Sequence, residues 1–521
     1  MEAPTRDAPF AASFDVIVIG TGMGGGTAGR ALAEAGMRVL FLERGRAGHR
    51  AEANGTAVDT ADPFARALHG LWPEPAVLAL DGVERPVNPV IGSTVGGSSV
   101  FYAATLERPE RHDLEPTDAM PHPTGGWPIG WDEMRPWFDA AEALYEVRGE
   151  ADPLGREPQP ALLPAGEPEA GDAAILAALR KAGRHPYQLH SAIRGEPGCL
   201  GCVGTKCPRP CKRDGRSAGV EPALATGRAE LWDEAEVLRL KEDGGRITGV
   251  TLRRHGEMRE VSAPRVLLAA GALNSPRLLL ASASEAWPEG LGNRSGLVGR
   301  GLMFHFNELF ALFPGRAARG TGAAKAVGLR DFYAAGGERL GMVQALGVEA
   351  DFGAILHALR ERLAGVPAGR SRLAQEAARL PAAVALRLLG SAKIFVGLLE
   401  DLPYDENRVL TGADGHMRIE YRITDELRAR RRRFRRLIRG IGRPVMMLSP
   451  TPEPNLGHPC GTLRFGEDPA RAVVAADGRV HGLENLWVLD SSIFPTSMGV
   501  NPSLTIAAHA LRVADSIARR P

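Results

Sequence analysis

Residues 14–19 read Phe-Asp-Val-Ile-Val-Ile, an apolar, β-branched run without alternation, the pattern of a strand covered on both faces. Glycines follow at once. Ala28, Ala31, Leu32 and Ala35 then fall at helical spacing, and Gly36 ends the predicted helix. A second apolar run, 38–42, closes in Glu43, and short runs of the same kind recur at 266–269 and 486–489. Strand, helix and strand in this order predict a βαβ unit of a parallel sheet, hence an α/β fold. Elsewhere the period lengthens. Phe352, Ile355, Leu356, Leu359 and Leu363 share a helical face, and the apolar stretch from Leu380 continues past Pro381 to Leu399, so a helical layer is expected there. Its apolar residues suit the core of a second domain, or an apolar entrance or membrane-resting surface. From 428 to 439 the chain holds eight Arg, yet Leu427, Phe434, Ile438 and Ile441 fall on one face. With Thr424 as N-cap and Asp425 and Glu426 in the first turn, this predicts an amphipathic helix with a solvated basic side.

With 521 residues the chain is long enough for about three average domains or two large ones. A net charge of +1 and 44% hydrophobic residues exclude both a disordered chain and a strong polyanion binder. No aromatic or fold signal for nucleic acid accompanies the Arg-rich helix, which reads as a solvated face, with an acidic redox partner or anionic lipid as the alternative. The first thirteen residues carry Asp, Glu, Arg and two Pro and contain no apolar run of the length an export signal needs. The most apolar later stretch is broken by Pro381, Arg387 and Lys393, so no membrane-spanning segment is expected. A cytoplasmic location is expected, with peripheral membrane contact left open.

Two clusters carry chemistry. Gly20, Gly22 and Gly25 spell GxGxxG between the first strand and its helix, and Glu43 lies eighteen residues beyond Gly25. Glycines there let backbone amides approach a pyrophosphate at a helix N-terminus, and an acid at the end of the second strand accepts hydrogen bonds from a ribose. This is a dinucleotide site, with FAD against NAD left open. The second cluster is Cys199, Cys202, Cys207 and Cys211, four of the five cysteines of the chain, interleaved with Gly and Pro. Such a loop suits an iron–sulfur cluster or zinc; disulfides and uncoordinated thiols remain open.

Further segments carry a family resemblance. Gly92-Ser93-Thr94-Val95-Gly96-Gly97-Ser98-Ser99, Gly271-Ala272-Leu273-Asn274-Ser275-Pro276, HPCGTLRFG from His458 and VNPSLTI from Val500 resemble, in order, the signatures of the glucose-methanol-choline (GMC) flavoprotein oxidoreductases. The resemblance implies FAD and an FAD-binding Rossmann-like domain with an inserted, discontinuous substrate-binding domain of sheet plus helices. The expected division is 13–114, 226–300 and 446–521 for FAD, and 115–225 and 301–445 for substrate, the latter with the cysteine loop at 198–212. By the same resemblance Gly96, Gly97, Ser98 and Ser99 run along the cofactor, and Asp490 contacts the flavin. Tyr102 stands where many members have Asn. No His occurs between Gly92 and Glu107, so noncovalent FAD is expected.

The implied activity is oxidation of a CH–OH group to a carbonyl, with hydride passing to flavin N5 and the hydroxyl proton to a base. Of thirteen His, His458 matches the family's catalytic position and Asn501, forty-three residues later, matches its partner. His458 suits a general base, while the Asn501 amide can polarise the same oxygen but not take its proton. His305, in GLMFHFN, occupies another recurrent position and reads as structural. The cysteine loop resembles the one that holds a three-iron cluster in catalytic subunits of flavin-dependent glucose dehydrogenases, although its first Cys is two residues further away. That implies single electrons leaving through an iron–sulfur cluster to an external acceptor or redox partner subunit, hence a dehydrogenase. An oxygen-using alcohol oxidase and a flavoprotein lyase are the alternatives.

Overall fold

The structure, a computed structural model, describes residues 13–50, 52, 62–197, 199, 201–314, 325–348, 352–364, 367–389 and 392–519. At its centre is a parallel sheet in the order Leu486–Val488, Arg265–Leu268, Val16–Ile19, Val39–Leu42, Ala229–Trp232. Every residue of Val16–Ile19 and Val39–Leu42 is buried. That is why these strands show no alternation: helices or other layers cover both faces. Val16 pairs with Val39 on one side and Arg265 on the other, so the first strand lies between the second and a strand some 250 residues away. Helix Met23–Glu34 crosses over the sheet, and Gly29 allows the approach, since a β-carbon there would sit 2.2 Å from the Phe41 ring.

A three-stranded antiparallel sheet, Ala235–Asp243, Arg246–Arg254 and Glu257–Val261, adjoins this core. A six-stranded antiparallel sheet forms a second layer in the order Val445–Met447, Phe306–Leu312, Lys393–Leu399, Val343–Ala345, Val327–Leu329, Tyr187–Gln188. A four-stranded sheet joins Arg408–Thr411 and Met417–Tyr421 to the hairpin Ala76–Leu80 and Val83–Val87. The α/β fold with its added sheet and helices is therefore the observed architecture.

Two sequence expectations need correction. The apolar stretch ending at Leu399 is not helical throughout: Arg379–Leu389 is a helix, but Lys393–Leu399 is a fully buried strand. A short apolar run covered on both faces has no period that separates strand from helix, and here the β-branched and aromatic residues pair across the sheet with Phe306–Leu312. Nor is the helical layer wholly core. Leu356, Ala378 and Ala382 pack together, while Leu373, Leu380, Val384 and Leu388 are exposed.

The Arg-rich helix, Asp425–Arg439, forms as read, with the Thr424 side chain accepting from Leu427 N. Its basic side is only partly solvated. Arg430 is buried and donates to the carbonyls of Arg339 (2.8 Å) and Glu400 (2.6 Å). Arg431 and Arg435 both pair with Glu308, which is buried in the six-stranded sheet. The helix reaches that sheet at Gly397, where a β-carbon would meet the Phe434 ring at 2.6 Å. No helix among the described residues is long and apolar enough to cross a membrane.

Candidate active site

A cavity of about 710 Å³ opens at the carboxyl ends of the parallel strands. Its lining includes Gly20, Gly22, Glu43, Gly97, Ser98, Ser99, His458, Asp490 and Asn501. The sequence separates these residues by up to 481 positions. Gly25 and Gly96 stand behind the lining. A β-carbon at Gly25 would lie 2.0 Å from the Gly20 carbonyl oxygen, so this third glycine lets the helix close on its own turn. Gly96 has φ +94°, the left-handed region that glycine adopts freely.

The phosphate side is made by the helix start. Gly22 caps Met23–Glu34 with its backbone alone, and a β-carbon built on Gly22 would meet no protein atom within 4 Å. The space beside Gly22 therefore belongs to the cavity, and the amides of a helix N-terminus favour a negative group there. Glu43 is buried, which pushes its carboxyl above the ordinary range, against the hydrogen bonds that favour the ion. Thr21 donates to it from both N (3.2 Å) and Oγ1 (2.6 Å), and Gly45 N donates to the other oxygen (3.1 Å). Thr21 Oγ1 in turn accepts from Gly96 N (3.0 Å). One hydroxyl thus locks the glycine turn, the acid and the second glycine loop together. Ser98 and Ser99 complete that loop: Ser98 Oγ accepts from Gly92 N (2.9 Å), and Ser99 Oγ donates to the Gly96 carbonyl (2.6 Å).

Asp490 ends the edge strand. Its carboxylate accepts from Gly271 N (2.9 Å), Ser275 Oγ (2.6 Å) and Ser492 N (2.9 Å), tying the Gly271–Pro276 segment to the chain that follows the sheet. These donors, extended glycine-lined space and acid fit a dinucleotide. Asn501 adds a buried Oδ1 with no hydrogen-bond partner, a polar group left for an occupant of the cavity.

His458 is brought to the cavity by strand-like pairing of two distant segments, through Met303 with Cys460. The pairing sets His305 beside it: the two Nδ1 atoms are 3.2 Å apart and the rings meet edge to face. Burial first, then His305 and Lys325, push the His458 imidazole down to about 3, so the ring is neutral at rest. A general base is ordinarily best matched by a pKa near neutrality. The structure instead keeps the lone pair free over a wider range. The sequence missed this contact, because His305 and His458 are 153 residues apart and only the recurrence of GLMFHFN marks the first.

The cysteine loop lies against the outside of this wall, not in the cavity. Lys212 is fully buried, and its Nζ donates to the carbonyls of Val100 (2.8 Å), Tyr102 (3.3 Å), Cys202 (2.8 Å) and Thr205 (2.6 Å). It clamps the loop to the cavity lining at Tyr102. The four thiols converge, with Cys207 Sγ 3.3 Å and Cys199 Sγ 4.0 Å from Cys211 Sγ. Burial, then Cys207, push Cys211 up to about 12. Among the described residues no group of three or more His, Cys, Asp or Glu is arranged to hold a metal ion. The loop therefore has the ligands of an iron–sulfur site without its arrangement.

Profiles described as GMC oxidoreductase match residues 14–307 and 447–510. The 6'''-hydroxyparomomycin C oxidase of Streptomyces lividus is 30% identical, over 97% of this chain and 91% of its own length. The fructose dehydrogenase large subunit of Gluconobacter japonicus is 26% identical, over 97% of this chain and 98% of its own. Pyridoxine 4-oxidase from Mesorbium loti superposes with a TM-score of 0.63 at 21% identity, covering 98% of this chain and all of that one, a likeness of fold.

Proposed function

The chain belongs to the GMC oxidoreductase family, and from that premise we propose that it is an FAD-dependent oxidoreductase converting a CH–OH group of an alcohol or sugar-like substrate to a carbonyl. The observation that carries this reading is a single cavity lined both by a dinucleotide cradle and by His458 and Asn501. FAD would be held noncovalently, its pyrophosphate at the amides after Gly22, its ribose at Glu43, and the rest along Gly97, Ser98, Ser99 and Asp490. When bound, FAD supplies the hydride acceptor.

The chain's own part is the proton. A neutral His458 accepts it from the substrate hydroxyl, and Asn501 orients that oxygen by hydrogen bonding. Segments 13–114, 226–300 and 446–521 form the cofactor side in this proposal, and 115–225 with 301–445 the substrate side. All five strands of the parallel sheet coming from the first set supports the division.

Anaerobic mixing with a panel of sugars, sterols, aliphatic alcohols and hydroxyparomomycin-like amines tests the proposal. Loss of flavin absorbance with one class is expected, while protein purified without flavin, or flavin untouched by every alcohol, overturns it. Two electron exits remain in view, as the relatives' names include both an oxidase and a dehydrogenase. The dehydrogenase reading sends electrons to an external acceptor, and peroxide formed in air at one per substrate would replace it with the oxidase reading. No step is routed through the cysteine loop, whose iron content by metal analysis after air-free preparation decides whether it holds a cluster.

A further inference from the structure

Three segments meet at His305. Its Nδ1 faces His458 Nδ1 at 3.2 Å, and its Nε2 lies 2.9 Å from the carbonyl oxygen of Met498, three residues before Asn501. It is fully buried, and its own carbonyl accepts from Asn455 N (2.8 Å), the residue whose carbonyl accepts from His458 N (2.9 Å). Met498 has φ +60°, a left-handed conformation that a residue with a side chain holds only when its surroundings impose it.

Proton counting along this chain favours one arrangement. A carbonyl oxygen only accepts, so the Met498 contact requires a proton on His305 Nε2. A neutral imidazole carries a single N–H, and burial pushes His305 down to about 4, which keeps it neutral. Its Nδ1 is then a lone pair, and the 3.2 Å contact requires the proton to sit on His458 Nδ1. Only His458 Nε2 is left to act as a base. Were His305 charged, it would donate from Nδ1, and His458 would have to carry its proton on Nε2, where it could accept nothing.

We propose that His305 is a positioning residue: by donating to Met498 and accepting from His458, it fixes His458 as the Nδ1–H tautomer with the Nε2 lone pair toward the cavity, and holds the turn that presents Asn501. The proposal rests on His458 being the base, and it replaces the structural reading of His305 with a stated role.

The test uses the full-length, flavin-loaded protein as purified. Nitrogen-15 NMR of the histidine rings, with His458→Gln identifying its signals, should show His458 protonated at Nδ1 and bare at Nε2; the opposite tautomer overturns the proposal without any substrate. His305→Gln keeps an amide donor for Met498 and a carbonyl acceptor for His458, whereas His305→Leu keeps neither. With the panel alcohol that bleaches the flavin fastest, His305→Leu should slow anaerobic flavin reduction about 10²-fold, the scale of losing a positioned base. Flavin content and KM should stay within about threefold, and His305→Gln should recover most of the rate. Equal impairment of both variants, or an unimpaired His305→Leu, overturns the proposal. If His458→Ala itself keeps full rate, the base assignment has failed instead.

Discussion

The glycine-lined wall of the cavity and the cysteine loop meet at the ammonium group of Lys212, yet they are built on opposite rules. On the cavity side the main chain dictates the residue: Gly25 and Gly96 have no room or no conformation for a side chain, and Gly22 leaves space that an occupant needs. In the cysteine loop no backbone constraint asks for sulfur. The thiols are free, adjacent and turned toward one another, and Lys212, with Lys206 at Glu52 and the Cys211 carbonyl at Arg194 N, ties the loop to the rest. Residue types forced by backbone geometry announce their ligand class in advance, whereas types that depend on an occupant announce only that something could bind.

The sharpest way to break this comparison is Lys212→Met. It leaves four carbonyls without their shared donor, and a loss of about 3 kcal/mol is expected, read as a lowered Tm with weakened flavin retention. A variant as stable as the parent would show that loop and wall are independent.

His458→Ala comes next, lowering kcat/KM by about 10² or more with flavin still bound. The same residue predicts the pH profile. The base must be unprotonated, and its pKa is pushed from the ordinary 6.5 down to about 3. Flavin reduction should therefore stay flat as pH falls through 6.5 and decline only in stronger acid, whereas an acid limb near 6.5 would contradict the environment described.

Gly22→Ala is milder. The φ of −62° suits alanine and no protein atom is near, so Tm without flavin should hold within about 0.5 kcal/mol, while flavin affinity drops about tenfold. Equal affinity would mean that the cradle lies elsewhere. Smallest of all is Cys207→Ser, expected to cost under about 1 kcal/mol if the thiols only pack. A collapse of Tm together with loss of bound iron or zinc would give the loop an occupant.

How much of this was legible follows from how local each signal is. The βαβ unit could be read because strands covered on both faces must be apolar throughout, and because the glycine turn is contiguous. Lys393–Leu399 could not be assigned for the converse reason: a seven-residue buried run carries no period, and its partners in Phe306–Leu312 are more than eighty residues away. The Arg-rich helix showed its apolar face, but not that Arg431 and Arg435 meet the buried Glu308, since a charge pattern does not reveal a distant acid. His458 and Asn501 were found through their flanking motifs, and the structure brings both to the cavity. The role argued for His305 and the clamp made by Lys212 depend on atoms 2.6–3.3 Å apart that no spacing along the chain encodes.

The order of strands in the parallel sheet bears on synthesis as well as on chemistry. The strand that leads into the glycine turn emerges from the ribosome early, but the edge strand, Asp490, His458 and Asn501 emerge hundreds of residues later. A nascent chain therefore lacks a complete nucleotide pocket until those residues are made, and a fuller supply of flavin during expression should raise the yield of well-folded protein.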